Sequence, residues 1–396
     1  MPTSRELFFE HLAQTSHLPP ALEIVSGQGC YLMDVSGKKY VDLISGISVS
    51  SIGHNHPAIT KAVKEQVDAG LHFMVYGEFI LGPQVKLAKL LASLLPENLS
   101  CTYFVNSGSE AVEGALKLAK RFTARTEIIS FANSYHGSTH GALSITGNEN
   151  LKNAFRPLLP DVRILPFNNS SALKNISSKT ACVIAETIQG EAGAIVPDKS
   201  FMKELRKRCD EAGALLILDE IQVGCGRTGK MFAFEHFDIV PDVLLLGKAF
   251  GGGIPLAAFV ASKEIMSVLS HNPVLGHITT FGGHPVSCAA SRAMLDTIIS
   301  EKHVGTIAEK ETMLRNQLTH KKILNIRGKG LFLALEFENE DICKRIIDRC
   351  IENGVIVDNF LFAQNCIRIA PPLNITKEEI NSATEKILTS IEQIKN

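Results

Sequence analysis

The 396-residue chain is 45% hydrophobic and 20% charged, enough to bury a large core and to divide into one large and one smaller unit. Forty basic against forty-one acidic residues leave a net charge of −1, which excludes a global field for nucleic acid or an acidic membrane. The opening segment from Met1 to His17 carries Arg5, Glu6, Glu10 and His11, which spoils a signal peptide, and Lys248 with its glycines interrupts the best membrane-spanning candidate, around Val243 to Val260.

In chain order, Ile24–Ser26 and Tyr31–Asp34 flank Gly27 and Gly29 as a small hairpin, followed by a helix from Pro57 to Ala69 that ends at Gly70. From Pro57 to Pro285, apolar strands alternate with amphipathic helices. The strands are Cys101–Val105, Glu127–Phe131, Val162–Pro166, Ala181–Ala185, Leu215–Asp219, Val243–Leu246 and Ala257–Ala261. Their runs are continuously apolar, as in strands covered on both faces. The helices include Glu110–Phe122 and Phe201–Ala212, and the alternation predicts an α/β fold around a mostly parallel sheet. Helices Val286–Ser300, His303–Thr319 and Ile342–Asn353, with strand Leu331–Phe337, come next. The final helix opens on a Thr376/Glu379 capping box and lines up Ile380, Ala383, Ile387, Ile391 and Ile394. We expect residues 57–285 to form the large domain, and 1–56 with 286–396 to fold together as a smaller α+β domain.

Nine scattered cysteines without a C-x-x-C pair argue for reduced thiols in a cytoplasmic protein, against both a disulfide framework and zinc. His54 and His56 lack a third ligand nearby, so no metal site is expected.

Three features point to chemistry. Asn106-Ser107-Gly108-Ser109-Glu110 joins a strand to a helix, where free N–H groups and the helix dipole favour a phosphate; an ordinary helix cap would look the same. Asp219 closes an apolar strand, the edge where open α/β sheets collect ligands; a metal, a helix cap or a ligand cation are all open to it. Lys248 follows another such strand and precedes Gly251-Gly252-Gly253, which suits Schiff-base chemistry, although a strand-end lysine is usually a surface residue.

Together, and with the motifs around them, these features resemble the class III (ω-) aminotransferases of the fold-type I pyridoxal-phosphate enzymes. The resemblance runs from Gly53-His54-Asn55-His56-Pro57 to Ile367-Arg368-Ile369-Ala370-Pro371-Pro372. Between these stand Tyr135-His136-Gly137, Gln189-Gly190-Glu191, Asp219–Gln222, Gly224–Gly229, Lys248 and Thr280-Phe281-Gly282-Gly283. It implies that pyridoxal 5'-phosphate is held as a Schiff base on Lys248, which also shuttles the substrate proton. Asp219 pairs with the ring nitrogen, Gln222 with the ring hydroxyl, and Tyr135 stacks on the ring. Ser107, Gly108 and Ser109 receive the phosphate, and His136 and Glu186 are scaffold neighbours of the cofactor. Thr280 of a neighbouring subunit completes the phosphate site, which implies a homodimer.

Glu191 and Arg368 are the implied substrate pair, the arginine gripping an α-carboxylate; a structural salt bridge is the plainer account. Ser138 replaces an arginine found in several relatives acting on ornithine, acetylornithine or 4-aminobutyrate, and Ile47 stands where the ornithine enzymes have a tyrosine. His284 and Arg227 read as structural, and Tyr76 as a tunnel residue. The implied activity is ping-pong transfer of an amino group, from an ω-amine or amino-acid donor to 2-oxoglutarate or pyruvate. A mutase, racemase or decarboxylase on the same cofactor is the nearest alternative, and a noncatalytic phosphate- or nucleotide-binding module is one of another class.

Overall fold

The computed structural model describes residues 2–394; Met1 and residues 395–396, at the ends of the expected small domain, lie outside the described residues. Strands β1 (Ile24–Gln28), β2 (Tyr31–Asp34) and β3 (Lys39–Asp42) form an antiparallel meander. The main sheet follows, with β4 (Cys101–Val105), β5 (Glu127–Phe131), β6 (Val162–Leu165), β7 (Thr180–Glu186), β8 (Leu215–Asp219), β9 (Val243–Leu246) and β10 (Ala257–Ala261). Their spatial order is β4-β10-β9-β8-β7-β5-β6. Every residue of β7, β8, β9 and β10 is buried, as their unbroken apolar runs require.

Only β10 runs against its neighbours, being antiparallel to both β4 and β9. Because β10 reverses direction between them, β4 points the same way as β9, and β9, β8, β7, β5 and β6 are parallel. The carboxyl ends of six strands therefore share one edge of the sheet. Asn106, Ala132, Glu186, Asp219 and Gly247 all begin or close connections there, and ligands of open α/β sheets bind at that edge.

The helix Gly108–Thr123 lies over β9 and β10 with seven buried residues on its inner face. Gly114 lets it approach closely: a Cβ there would stand 2.4 Å from Cε1 of the buried Phe259. Alanine ordinarily improves a helix by about 1 kcal/mol over glycine. Here Gly114→Ala should instead lower stability by roughly 1–3 kcal/mol, because Phe259 must leave a packed rotamer. A denaturation midpoint that is unchanged or raised would contradict this packing.

A third sheet contains β11 (Asn325–Gly328), β12 (Leu333–Glu336), β14 (Asp358–Asn359) and β15 (Cys366–Ile369), in the order β11-β12-β15-β14. Strand β13 (Val355–Ile356), separated from β14 by one residue, joins the N-terminal meander by pairing in parallel with β3. The last helix, Lys377–Glu392, opens on the expected capping box at Thr376 and Glu379. Ile380, Ala383, Ile387 and Ile391 are buried along it, and Ile394 is buried just beyond its end.

Several segments depart from the sequence reading. The helix Gly82–Leu94 was not expected; it begins with Gly82-Pro83 and buries Leu87 and Leu91. Strand Leu331–Phe337 shortens to β12, and the helix from His303 stops at Gln317. Residues Ser45–Ser48 form a single turn with positive φ throughout, at 51°, 58°, 64° and 62°. Left-handed backbone is costly for residues other than glycine, and Ile47 is β-branched. The Asp42 carboxylate holds the turn by accepting from the N–H groups of Ile44 and Ser45, and the Ser45 hydroxyl donates to the Ala370 carbonyl.

Arg227 joins the two ends of the chain. It is fully buried and donates to the carbonyls of Leu331 and Pro371 and to the Ser51 hydroxyl. Burial lowers its guanidinium to about 10, still charged at neutral pH. Among the described residues no helix is long and apolar enough to cross a membrane.

Candidate active site

The shared strand edge opens into one cavity. Ser107, Gly108 and Ser109 line it from the connection after β4, and Tyr135, His136 and Gly137 from the connection after β5. Glu186, Asp219, Gln222 and Lys248 complete its polar lining, with Ile188, Ile221 and Val223 beside them.

Asp219 is the last residue of β8 and is 5% exposed. One carboxylate oxygen accepts from the Ile221 N–H at 3.0 Å, and the other lies 2.8 Å from His136 Nδ1. His136 is buried too, and its Nε2 has no partner. Glu186 sits opposite Asp219 in the parallel register. It accepts from the N–H groups of Tyr135 and Gly190, while burial pushes its carboxyl up to about 7. Glu186 thus fastens two loops of the cavity, a part that its residue type alone did not announce.

Gln222 leaves its Nε2 buried and without a partner among the described residues. The glycine of Gln189-Gly190-Glu191 makes room for it: a Cβ at Gly190 would stand 2.3 Å from Gln222 Oε1. Ser107 is the N-cap of the helix Gly108–Thr123, its hydroxyl accepting from the Glu110 N–H. The N–H groups at the start of that helix have no intrahelical acceptors and carry the positive end of its dipole.

Lys248 lies two residues beyond β9 with φ of 47°, a left-handed conformation that places it in the turn before the glycines. Burial holds its amine below the ordinary lysine range, against the opposing pull of the Glu191 carboxylate. Its amine makes no hydrogen bond within the described residues, so a nucleophilic nitrogen faces the cavity without an ion-pair partner.

Glu191 and Arg368 meet as a bidentate pair, at 3.1 Å from Nη1 to Oε1 and 3.0 Å from Nη2 to Oε2, with both side chains buried. Burial works against the Glu191 carboxylate, yet the Arg368 guanidinium holds it below the usual range. Glu191 also accepts from the Leu361 N–H through Oε2, and its backbone carbonyl from the Phe362 N–H. The Phe360 ring lies 4.5 Å from the guanidinium carbon.

Glu191 and Arg368 do not line this cavity, although their charges act on Lys248, and other predicted residues fall outside it too. Ile47, in the left-handed turn, does not line it, although that turn packs against the one carrying Lys248. Thr280 is exposed and does not line the cavity. Tyr76 is not a lining residue either: it packs on Tyr103, with ring centroids 4.6 Å apart, and its hydroxyl donates to the Thr102 carbonyl. His284 precedes the helix Pro285–Ser300 as its N-cap residue. Two neighbours of Arg368 escaped the sequence reading: Asp358, 3.2 Å from its Nε, and Phe360. Their only signal is the register of β14 on β15, which the sequence does not reveal.

A dipole-bearing helix start, a buried carboxylate and an unpaired lysine around one cavity define a site for a phosphorylated aldehyde cofactor. Comparison with known proteins agrees. Residues 12–391 match the class-III aminotransferase family, and the chain belongs to it. It is 38% identical over 395 residues to an acetylornithine aminotransferase of Methanopyrus kandleri, covering 98% of each chain. The structure is similar to that of ornithine aminotransferase from Toxoplasma gondii, with a TM-score of 0.92, 28% identity, and coverage of 99% and 96% of the two chains. A second structure of that enzyme, with a TM-score of 0.91, 29% identity and coverage of 97% and 92%, is described with pyridoxal phosphate at its active site.

The protein is a pyridoxal-phosphate-dependent aminotransferase of fold type I. Its residues fit the cofactor. The orphaned Gln222 Nε2 and His136 Nε2, the open helix start and the free Lys248 amine are unmet polar groups around a single cavity, and buried polar groups without partners are otherwise rare.

Proposed function

We propose that this aminotransferase takes its amino group from a primary amine remote from any carboxylate. It passes that group to a 2-oxo acid in a ping-pong cycle, with 2-oxoglutarate favoured as acceptor and pyruvate as the second choice. The observation that carries this reading is the buried, bidentate Glu191–Arg368 pair beside Lys248. An arginine fork matches the carboxylate of a 2-oxo acid, and a glutamate that can occupy the fork neutralises it when the substrate brings none.

In this reading Ser107, Gly108 and Ser109 receive the phosphate, Gln222 donates to the ring hydroxyl and Tyr135 covers the ring face. Asp219, fixed by His136, faces the ring nitrogen and keeps it protonated. When bound, pyridoxal phosphate supplies a carbonyl that condenses with amines and a ring that accepts the electrons left by a departing proton. Lys248 would anchor the group, and its amine would take up and return the substrate's proton as general base and acid. Residues 57–285 would be the cofactor-binding domain, with the two ends of the chain forming the smaller one.

Two residues count against carrying over the donors for which the acetylornithine and ornithine relatives are named. Ser138 stands within reach of the Tyr135 hydroxyl at 3.2 Å and provides no cation for a distal carboxylate. Ile47 provides no phenol either.

A homodimer completes the proposal. Phe73, Phe79, Ile80, Val274, Leu275, Ile278 and Phe281 are exposed on the two segments that flank Thr280 in space and sequence, and apolar exposure on this scale marks a partner surface. Thr280 would then reach the partner's phosphate site. The free cysteines suit the cytoplasm.

The test is a half-reaction screen. The holoenzyme is mixed with α,ω-diamines and amino acids while its visible violet absorbance is followed; amines that serve as donors should bleach it. Adding 2-oxoglutarate should restore the band and yield glutamate. Failure of every amine to bleach it, or rearranged donor without glutamate, would overturn the reading.

A further inference from the structure

Glu191 is not the only carboxylate on Arg368. The antiparallel register sets Asp358 of β14 directly across from Arg368 of β15. The Asp358 carboxylate lies 3.2 Å from Arg368 Nε, yet among the described residues Asp358 Oδ1 and Arg368 Nε each lack a hydrogen bond. The two are adjacent as charges, but the N–H is not aimed at the oxygen. Meanwhile Glu191 takes both terminal nitrogens, and Nη2 also donates to the Asn359 carbonyl at 3.3 Å. Asp358 contributes charge without such alignment.

One guanidinium thus faces two carboxylates in this buried cluster, with the Lys248 amine acting on Glu191 as well. The strain on the second carboxylate is visible: burial pushes the Asp358 carboxyl up to about 6, with Arg368 pulling the other way and Glu191 and Asp42 adding to the rise.

We propose that Asp358 sets the charge selectivity of the Arg368 subsite, setting a second carboxylate against the one guanidinium so that the subsite disfavours a donor that carries a carboxylate beside its reacting amine. The proposal rests on the reading that Glu191 and Arg368 face the substrate. A 2-oxo acid that enters replaces Glu191 on the terminal nitrogens, while Asp358 stays on the Nε edge and keeps the guanidinium in place.

Glutarate, a dicarboxylate with no reactive carbonyl, separates the two ideas when titrated calorimetrically into holoenzyme. A unit charge removed within a few ångströms of a bound carboxylate is ordinarily felt as about a tenfold change in affinity. Asp358→Asn should therefore bind glutarate about tenfold tighter than the native enzyme. Asp358→Ser should move the same way, and Asp358→Glu should stay within about twofold. Arg368→Gln should weaken binding by at least about tenfold. Kinetically, the kcat/KM ratio of lysine to 1,5-diaminopentane, which differ only by the α-carboxylate, should rise about tenfold in Asp358→Asn. Unchanged or weaker glutarate binding in both neutral variants, with Arg368→Gln still impaired, would overturn the role of Asp358 and leave the Glu191–Arg368 reading intact. Glutarate binding indifferent to Arg368→Gln would overturn both.

Discussion

Lys248→Ala is expected to lose turnover by at least about four orders of magnitude, since it removes both the anchoring amine and the group positioned to move the proton. The variant should still take up pyridoxal phosphate. The cavity's other polar groups, from the helix start at Gly108 to the buried Gln222 amide, do not depend on the lysine. Equilibrium dialysis would then show bound cofactor, while the spectrum lacks the violet band that borohydride removes in the native enzyme. Because the Lys248 amine makes no hydrogen bond within the described residues, its loss should leave the thermal midpoint nearly unchanged. That separates a chemical defect from a folding one. Appreciable activity in the variant, with any amine that the native enzyme accepts, would refute the assignment of Lys248.

Asp219→Asn should be the next most damaging change, reducing kcat on the order of 10²- to 10³-fold, the usual effect of removing one preorganised charge from a site that stabilises developing charge. The carboxylate lies where β8 ends, with its two oxygens committed to the Ile221 N–H and His136. An amide can replace one of those acceptors, so the fold should survive. It cannot supply the negative charge that keeps a ring nitrogen protonated. The expected signature is a slow enzyme that still forms its violet band and still binds glutarate like the native protein. Native kcat in Asp219→Asn would remove this residue from the chemistry.

The main sheet was legible because each of its central strands is buried on both faces and so had to be written as an unbroken apolar run. Val243-Leu244-Leu245-Leu246 can hardly be anything else once glycines and a lysine end it. The positions of Asp219 and Lys248 followed from the same fact, since both stand where such a run stops. The small sheet was much less legible. Strands β13 and β14 have two residues each, too few to show a period, and they pair into different sheets although one residue separates them. The left-handed turn at Ser45–Ser48 was hidden because Ile47 is the wrong residue for that backbone by any local rule; its Asp42 and Ala370 partners come from elsewhere in the fold. Asp358 was hidden for a similar reason. A carboxylate ten residues before an arginine carries no local meaning until the loop between them closes into a hairpin.

That hairpin also limits how this enzyme can be recombined. The loop between β14 and β15 clasps Glu191 through two backbone N–H groups, stacks Phe360 on Arg368 and sets Asp358 at its edge. The arginine and its surroundings thus behave as one exchangeable cassette, whose other half is the Gln189-Gly190-Glu191 loop. A chimaera with a crossover inside 358–368 would inherit the arginine from one parent and its counter-charges from another. Crossovers placed outside that interval, with the glutamate loop carried from the same parent, would keep the charge balance of the subsite whole.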